Sequence, residues 1–201
     1  MSRLIALFVV LSAIPPELTF TPWFTADGVD VAIARQPDAL PWLRGSAELP
    51  VAAESVAAAL TDFQRYKDFF APAVRSARVL ESGQDSARIH FVWAYPFPFK
   101  NRDAVVLYRS EKSEAGAFVL SWKTDPRPRP DDPNEGVRIE RVNGETRVEP
   151  VGPSRCRVIY TYLGDLGGKF PAWAQEKAWK EEPVQYMRAL RRRLKLPDPA
   201  N

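Results

Sequence analysis

Tyr95-Pro96-Phe97-Pro98-Phe99-Lys100-Asn101-Arg102-Asp103-Ala104-Val105-Val106 stands between two runs that read as β-strands, 87–95 and 103–112. Side chains alternate across a strand. Arg88, His90, Val92 and Ala94 therefore share one face of the first run, and Ile89, Phe91, Trp93 and Tyr95 share the other. In the second run Ala104, Val106 and Tyr108 face one way, and Asp103, Val105, Leu107 and Arg109 the other. Pro96 and Pro98 belong to the connection. Arg102 and Asp103 are expected to fix its corner by local hydrogen bonds.

Working outward, further strands are expected at 74–82, 117–124, 136–142, 145–151 and 154–163. Gly83, Gly116 and Asn143-Gly144 supply turn chemistry, and Asn143-Gly144 reads as a two-residue hairpin. The segment 125–133 holds four prolines, which remove backbone donors. It reads as a rigid surface connector, with recruitment of a partner as a polyproline-type ligand the rival reading. On the N-terminal side, 15–28 is rich in proline, threonine and aromatic residues, with a turn at Asp27-Gly28. Two alternating runs follow, Val29–Ala34 and Leu43–Leu49. The alanine-rich stretch 51–62 reads as a helix, with Val56 and Leu60 on one face. Phe63, Tyr66, Phe69 and Phe70 then pack down onto the core until Pro72. From Pro171 to Lys195, Trp179, Tyr186, Met187, Leu190 and Leu194 form one apolar helical stripe, with Trp173 on its shoulder. Pro183 is expected to kink or interrupt this helix.

This order gives an α+β domain, a curved antiparallel sheet covered by one long C-terminal helix. Such a sheet cannot close its own apolar face, and an aromatic-rich pair of layers leaves a cavity between them. The 201 residues suffice for one domain, expected over 21–196, with a leader at 1–20 and a tail at 197–201. Leu4–Ile14 is a short apolar run behind Arg3, too short to span a bilayer but fitting the core of a secretory signal. Export to the periplasm or beyond is expected if it is one, and a cytoplasmic location otherwise. The rival reading is an apolar segment docked on the domain. One cysteine and one histidine exclude disulfide scaffolds and zinc or CxxC centres within the chain. A net charge of +3 gives no strong drive toward nucleic acid. No cofactor or metal is expected, and the chain reads as a monomer.

The string 95–106 resembles the PxP…(N/D)RD-x-V motif of START domains, the lipid-transfer modules related to steroidogenic acute regulatory protein. It is similar above all to the phosphatidylcholine-transfer and bacterial branches. Leu60–Tyr66 resembles the family's first helix and following loop, Leu166–Trp173 its approach to the C-terminal lid helix, and Tyr186–Arg191 the end of that helix. The resemblance spans about residues 22–195. It implies a helix-grip fold of the wider SRPBCC superfamily, one lipid per domain, and transfer or sensing of that lipid. By the same resemblance, Val92 and Tyr108 fall where family members often carry a buried acidic residue and a buried arginine. The missing ion pair favours a sterol, a fatty acid or another neutral lipid over a phosphate headgroup.

Burial dominates lipid carriage, since an acyl chain of about 16 methylenes is worth on the order of 13 kcal/mol. The candidate ligand contacts are His90, Val92, Tyr108, Trp122, Tyr160, Trp173 and Lys177. Pro96, Pro98, Arg102 and Asp103 are expected to be structural. His90 has an equal rival reading as a satisfied strand histidine, and Trp93, Trp122, Tyr160 and Tyr162 as plain core. The basic Arg191-Arg192-Arg193 end reads as solvated, with transient contact at anionic membranes the rival. A carrier without enzymatic activity is the leading expectation. The alternatives are a cyclase-like enzyme with His90 as general base, and a scaffold acting through 125–133.

Overall fold

The computed structural model describes residues 14–37, 39–113, 116–127, 136–167, 170–197 and 199. The apolar run 4–13, most of the proline segment, Gly168 and the end of the tail lie outside the described residues. Among the described residues, no helix is long and apolar enough to cross a membrane.

The chain builds one curved, open sheet of ten strands. β1 (Thr21–Ala26) and β2 (Val29–Ala34) form a hairpin through Asp27 and Gly28, with φ of 51° and 66°. Paired left-handed residues match the twist of the flanking strands. β3 (Trp42–Leu49) follows, then α1 (Ala53–Thr61), a single 3-10 turn (Phe63–Arg65) and the short α2 (Tyr66–Phe69). The strands β4 (Val74–Ser82), β5 (Ser86–Trp93), β6 (Arg102–Lys112) and β7 (Phe118–Thr124) form a meander. β8 (Val137–Arg138), β9 (Val142–Gly152), β10 (Arg155–Gly164) and α3 (Ala172–Arg193) complete the chain. The spatial order is β1-β2-β3-β10-β9-β7-β6-β5-β4, with β8 lying parallel to β6 off this path.

Three expectations are corrected. Asn143-Gly144 is not a hairpin turn: both residues lie inside β9, which pairs with β7 and β10. A Cβ on Gly144 would come within 2.5 Å of the Thr161 carbonyl oxygen and 2.6 Å of the Trp122 ring. The glycine serves close approach of an indole to the backbone. The residues expected as strand 136–142 instead contribute the two-residue β8 and an irregular approach to β9. Pro183 does not interrupt α3, which runs through it. The helix meets β3 there, since a Cβ on Gly45 would come within 2.8 Å of Pro183 Cβ.

The core lies between the sheet and α3, with α1 and α2 closing one end. Val184, Tyr186, Met187 and Leu190 of α3 are buried against Val29, Val31 and Leu43 of the sheet's core face. A second cluster forms on Ala34, Trp42 and Leu163, where Ile14, Leu18 and Phe20 pack. Residues 14–20, assigned by sequence to the leader, are thus docked on the domain.

Candidate ligand cavity

Register decides which side chains face α3. Across β5 and β6, Ala87 pairs with Tyr108, Ile89 with Val106 and Phe91 with Ala104. Tyr108 in turn opposes Trp122 of β7. Directly paired residues share a face. Phe91, Trp93, Tyr108, Leu120 and Trp122 therefore join Val142, Tyr160 and Tyr186, with Tyr66 and Phe70 closing one end, around a cavity of about 80 Å³. The rings nearly fill it: Trp122 stacks on Tyr160 at 5.5 Å, Tyr160 on Tyr186 at 3.8 Å, and Phe91 on Trp93 at 5.2 Å.

The cavity carries few polar groups. Tyr186 and Thr146 share a hydrogen bond of 2.7 Å, and Tyr66 donates to the Leu60 carbonyl. Tyr160 donates to Oε1 of Glu182, one helical turn before Tyr186, at 3.0 Å. Burial raises the Glu182 carboxyl above the usual carboxylate range, opposed by the Tyr160 hydrogen bond. Burial also holds the Tyr108 and Tyr186 hydroxyls neutral, far above the ordinary phenol value. The Tyr108 hydroxyl has no hydrogen-bond partner among the described residues. No lysine, arginine or histidine lines the cavity.

Of the residues named from sequence, Tyr108, Trp122 and Tyr160 are brought together in this lining. His90 and Val92 are not. His90 lies opposite Val105 and Val92 opposite Asp103, on the outer face of the sheet. There His90 Nε2 lies 3.1 Å from Oδ2 of Asp103, and Arg78 contacts the other ring nitrogen at 3.3 Å. Arg138 donates to the same Asp103 oxygen at 3.2 Å. Beside this group Arg88 and Arg127 bind the buried Asp125. Buried charge pairs thus exist in this chain, but outside the cavity. His90 and Tyr108, both named as candidate ligand contacts, thus lie on opposite faces of the sheet, and His90 does not line the cavity. Trp173 is 68% exposed at the start of α3. Lys177 is exposed and paired with Glu181 at 3.8 Å.

At the corner, Arg102 makes one local hydrogen bond and two that reach a distant segment, and Asp103 serves the outer-face group. Arg102 donates to the carbonyls of Leu166 (2.7 Å), Gly167 (3.1 Å) and Lys100. Its guanidinium lies 4.5 Å from the Phe170 ring centroid, and Phe170 stacks on Phe99 at 4.7 Å. The loop carrying Pro96 and Pro98 is thereby clasped to the segment preceding α3.

The START domain model matches residues 28–199. The chain belongs to the START domain family. A solved STAR-related lipid transfer protein from Xanthomonas axonopodis is similar over 88% of this chain and 98% of its own, with TM-score 0.78 and 25% identity. The Zhui aromatase/cyclase of Streptomyces sp. R1128 has a similar fold (TM-score 0.55, 16% identity, 76% of this chain and 92% of that one). An uncharacterized protein of Pseudomonas aeruginosa is 27% identical over 104 residues, 49% of this chain. That match spans about half (51%) of the relative's length. Family membership and the lipid-transfer neighbour support a hydrophobic ligand-binding domain.

Proposed function

We propose that this START domain takes up one neutral lipid between the sheet and α3 and carries or senses it without transforming it. The observation that carries this reading is the composition of the cavity wall: ten residues, eight of them aromatic, and no cation. An apolar chain is held there by burial, and a phosphate headgroup finds no positive partner. No acid–base pair of the usual catalytic kind reaches the cavity from His90, which is engaged on the other face.

At about 80 Å³ the cavity holds only two or three waters, against the hundreds of cubic ångströms a lipid needs. Uptake therefore requires opening, and α3 is built for it. From Trp173 to Glu182 none of its residues is fully buried, whereas buried residues recur from Pro183 onward. Pro183 has no N–H, so the carbonyl of Trp179 lacks its helical hydrogen bond at the junction. The first half of α3, with the preceding segment to which the 95–102 loop is clasped, is the part that moves to let a ligand in. Phe97, 96% exposed on that loop, and Trp173, exposed at the start of α3, offer apolar anchors on segments that also carry the exposed Lys100 and Lys177. This end of the molecule faces the bilayer during exchange.

The test is titration with a long-chain fluorescent probe. Saturation at one probe per chain, displaced by unlabelled neutral lipid, supports the reading. No uptake under any condition refutes it.

A further inference from the structure

The cavity has one anion near it and no cation in its wall. Glu182 accepts from Tyr160 through Oε1, and no lysine, arginine or histidine pairs with it among the described residues. It pushes up the hydroxyls of five tyrosines, Tyr95 of the β5–β6 connection, Tyr108 of β6, Tyr160 and Tyr162 of β10 and Tyr186 of α3, and its partner Tyr160 stacks on Tyr186 at 3.8 Å and on Tyr162 at 5.4 Å. The second oxygen, Oε2, accepts no hydrogen bond from the described residues. The open hydroxyl of Tyr108 stands in the lining of the same cavity. A carboxylate accepts hydrogen bonds and repels anions. Placed against aromatic faces, which are themselves negative, it makes the cavity electrostatically selective.

We propose that Glu182, with Tyr160 and Tyr108, is the polar anchor of the site and selects lipids whose single polar group donates a hydrogen bond, excluding lipids that end in a carboxylate. The proposal rests on the neutral-lipid reading above and narrows it: free fatty acids are removed from the set that the sequence left open. The ligand's hydroxyl donates to the Glu182 carboxylate and accepts from the Tyr108 hydroxyl. A carboxylate headgroup meets the Glu182 charge with nothing to neutralise either. An ether accepts from Tyr108 but makes no hydrogen bond to Glu182, a loss of about tenfold for one unmade hydrogen bond to a charged group.

The test compares three probes of one chain length, hexadecan-1-ol, its methyl ether and hexadecanoate, by displacement of the fluorescent probe at neutral pH. The full chain is used as wild type, Glu182→Gln and Tyr108→Phe. Glu182→Gln keeps an oxygen for Tyr160, and Tyr108→Phe removes a hydroxyl with no protein partner, so both variants retain the fold. The expected order for wild type is alcohol, then ether about tenfold weaker, then hexadecanoate weakest. Glu182→Gln should bring hexadecanoate up by about tenfold or more, while Tyr108→Phe weakens the alcohol and leaves hexadecanoate excluded. Equal binding of alcohol and hexadecanoate by wild type overturns the proposal, as does a Glu182→Gln variant with unchanged preference. In both cases the fluorescent probe still binds, and the neutral-lipid cavity stands. If that probe does not bind, the cavity reading and the anchor fall together.

Discussion

Tyr186 of α3 stacks almost flat on Tyr160 of β10, with ring centroids 3.8 Å apart and planes 15° from parallel. This contact joins the helix to the sheet across the cavity, so it contributes to stability and limits volume at once. Tyr186→Ala should cost about 3–5 kcal/mol in urea unfolding, the range for a large buried aromatic. Tyr186→Phe keeps the stack and loses the Thr146 hydrogen bond, for about 1 kcal/mol. In the Ala variant, probe uptake should also become faster, because the closing wall is removed. Stopped-flow fluorescence measures the rate.

The outer-face cluster predicts a clean separation of stability from binding. Asp103 is fully buried and serves both His90 and Arg138. Asp103→Ala should destabilise by about 3–5 kcal/mol, since it leaves partners of a buried pair uncompensated. His90→Ala should lower the melting temperature yet leave probe affinity unchanged. A loss of affinity with an unaltered melting temperature would return His90 to the ligand site.

Two carboxyls predict opposite pH behaviour. Burial pushes Asp125 up, but hydrogen bonds from Arg88 and Arg127 outweigh it and hold the carboxyl below its usual value. Its contribution is present above the ordinary aspartate value near pH 4 and is lost as pH falls through the folded value. The stability difference between wild type and Asp125→Asn should therefore shrink on acidification. Burial raises Glu182, with Tyr160 opposing, so the folded state holds its proton more tightly than the unfolded chain. The fold then loses stability as pH rises above the unfolded carboxyl value. Glu182→Gln should be more stable than wild type at neutral pH and nearly equal to it near pH 4. Urea midpoints across pH 3–8, a range of about that width around the carboxyl values, measure both.

Gly144→Ala places a methyl against the Thr161 carbonyl and the Trp122 ring. It should cost about 1–3 kcal/mol as overpacking and shift the indole within the cavity wall. Urea unfolding and Trp122 emission read both effects. A neutral result would mean that Gly144 is not placed by that contact.

Phe97→Ser and Trp173→Ser together should slow lipid exchange with vesicles by about tenfold or more, the scale set by removing two interfacial aromatic side chains. Probe affinity in solution should not change. Exchange rates between donor and acceptor vesicles provide the measurement.

The element order was legible because apolar alternation and the stripe on α3 are strong signals wherever one face is buried. The face of β5 was not. Its alternation sets Ile89, Phe91 and Trp93 against Arg88 and His90, but the family resemblance draws Val92, and His90 with it, toward the cavity, and the structure buries both faces, since six consecutive residues, Ala87 to Val92, are buried. Gly144 is ambiguous in sequence because an Asn-Gly pair serves a tight turn and an indole's close approach with the same letters. β1 escaped notice because Pro22 and adjacent aromatics mask alternation on an edge strand. Glu182 carries a signal in the sequence: it stands three residues after Trp179 and four before Tyr186, a charge in line with the apolar stripe. A carboxyl at a stripe position marks either an error of register or a site.

The most direct measurement is native mass spectrometry of the purified chain after incubation with a mixed lipid extract. One neutral lipid per chain, displaced by the fluorescent probe, is the expected result. A chain that stays empty, or that retains only phospholipid or fatty acid, would contradict a cation-free cavity built for a neutral ligand.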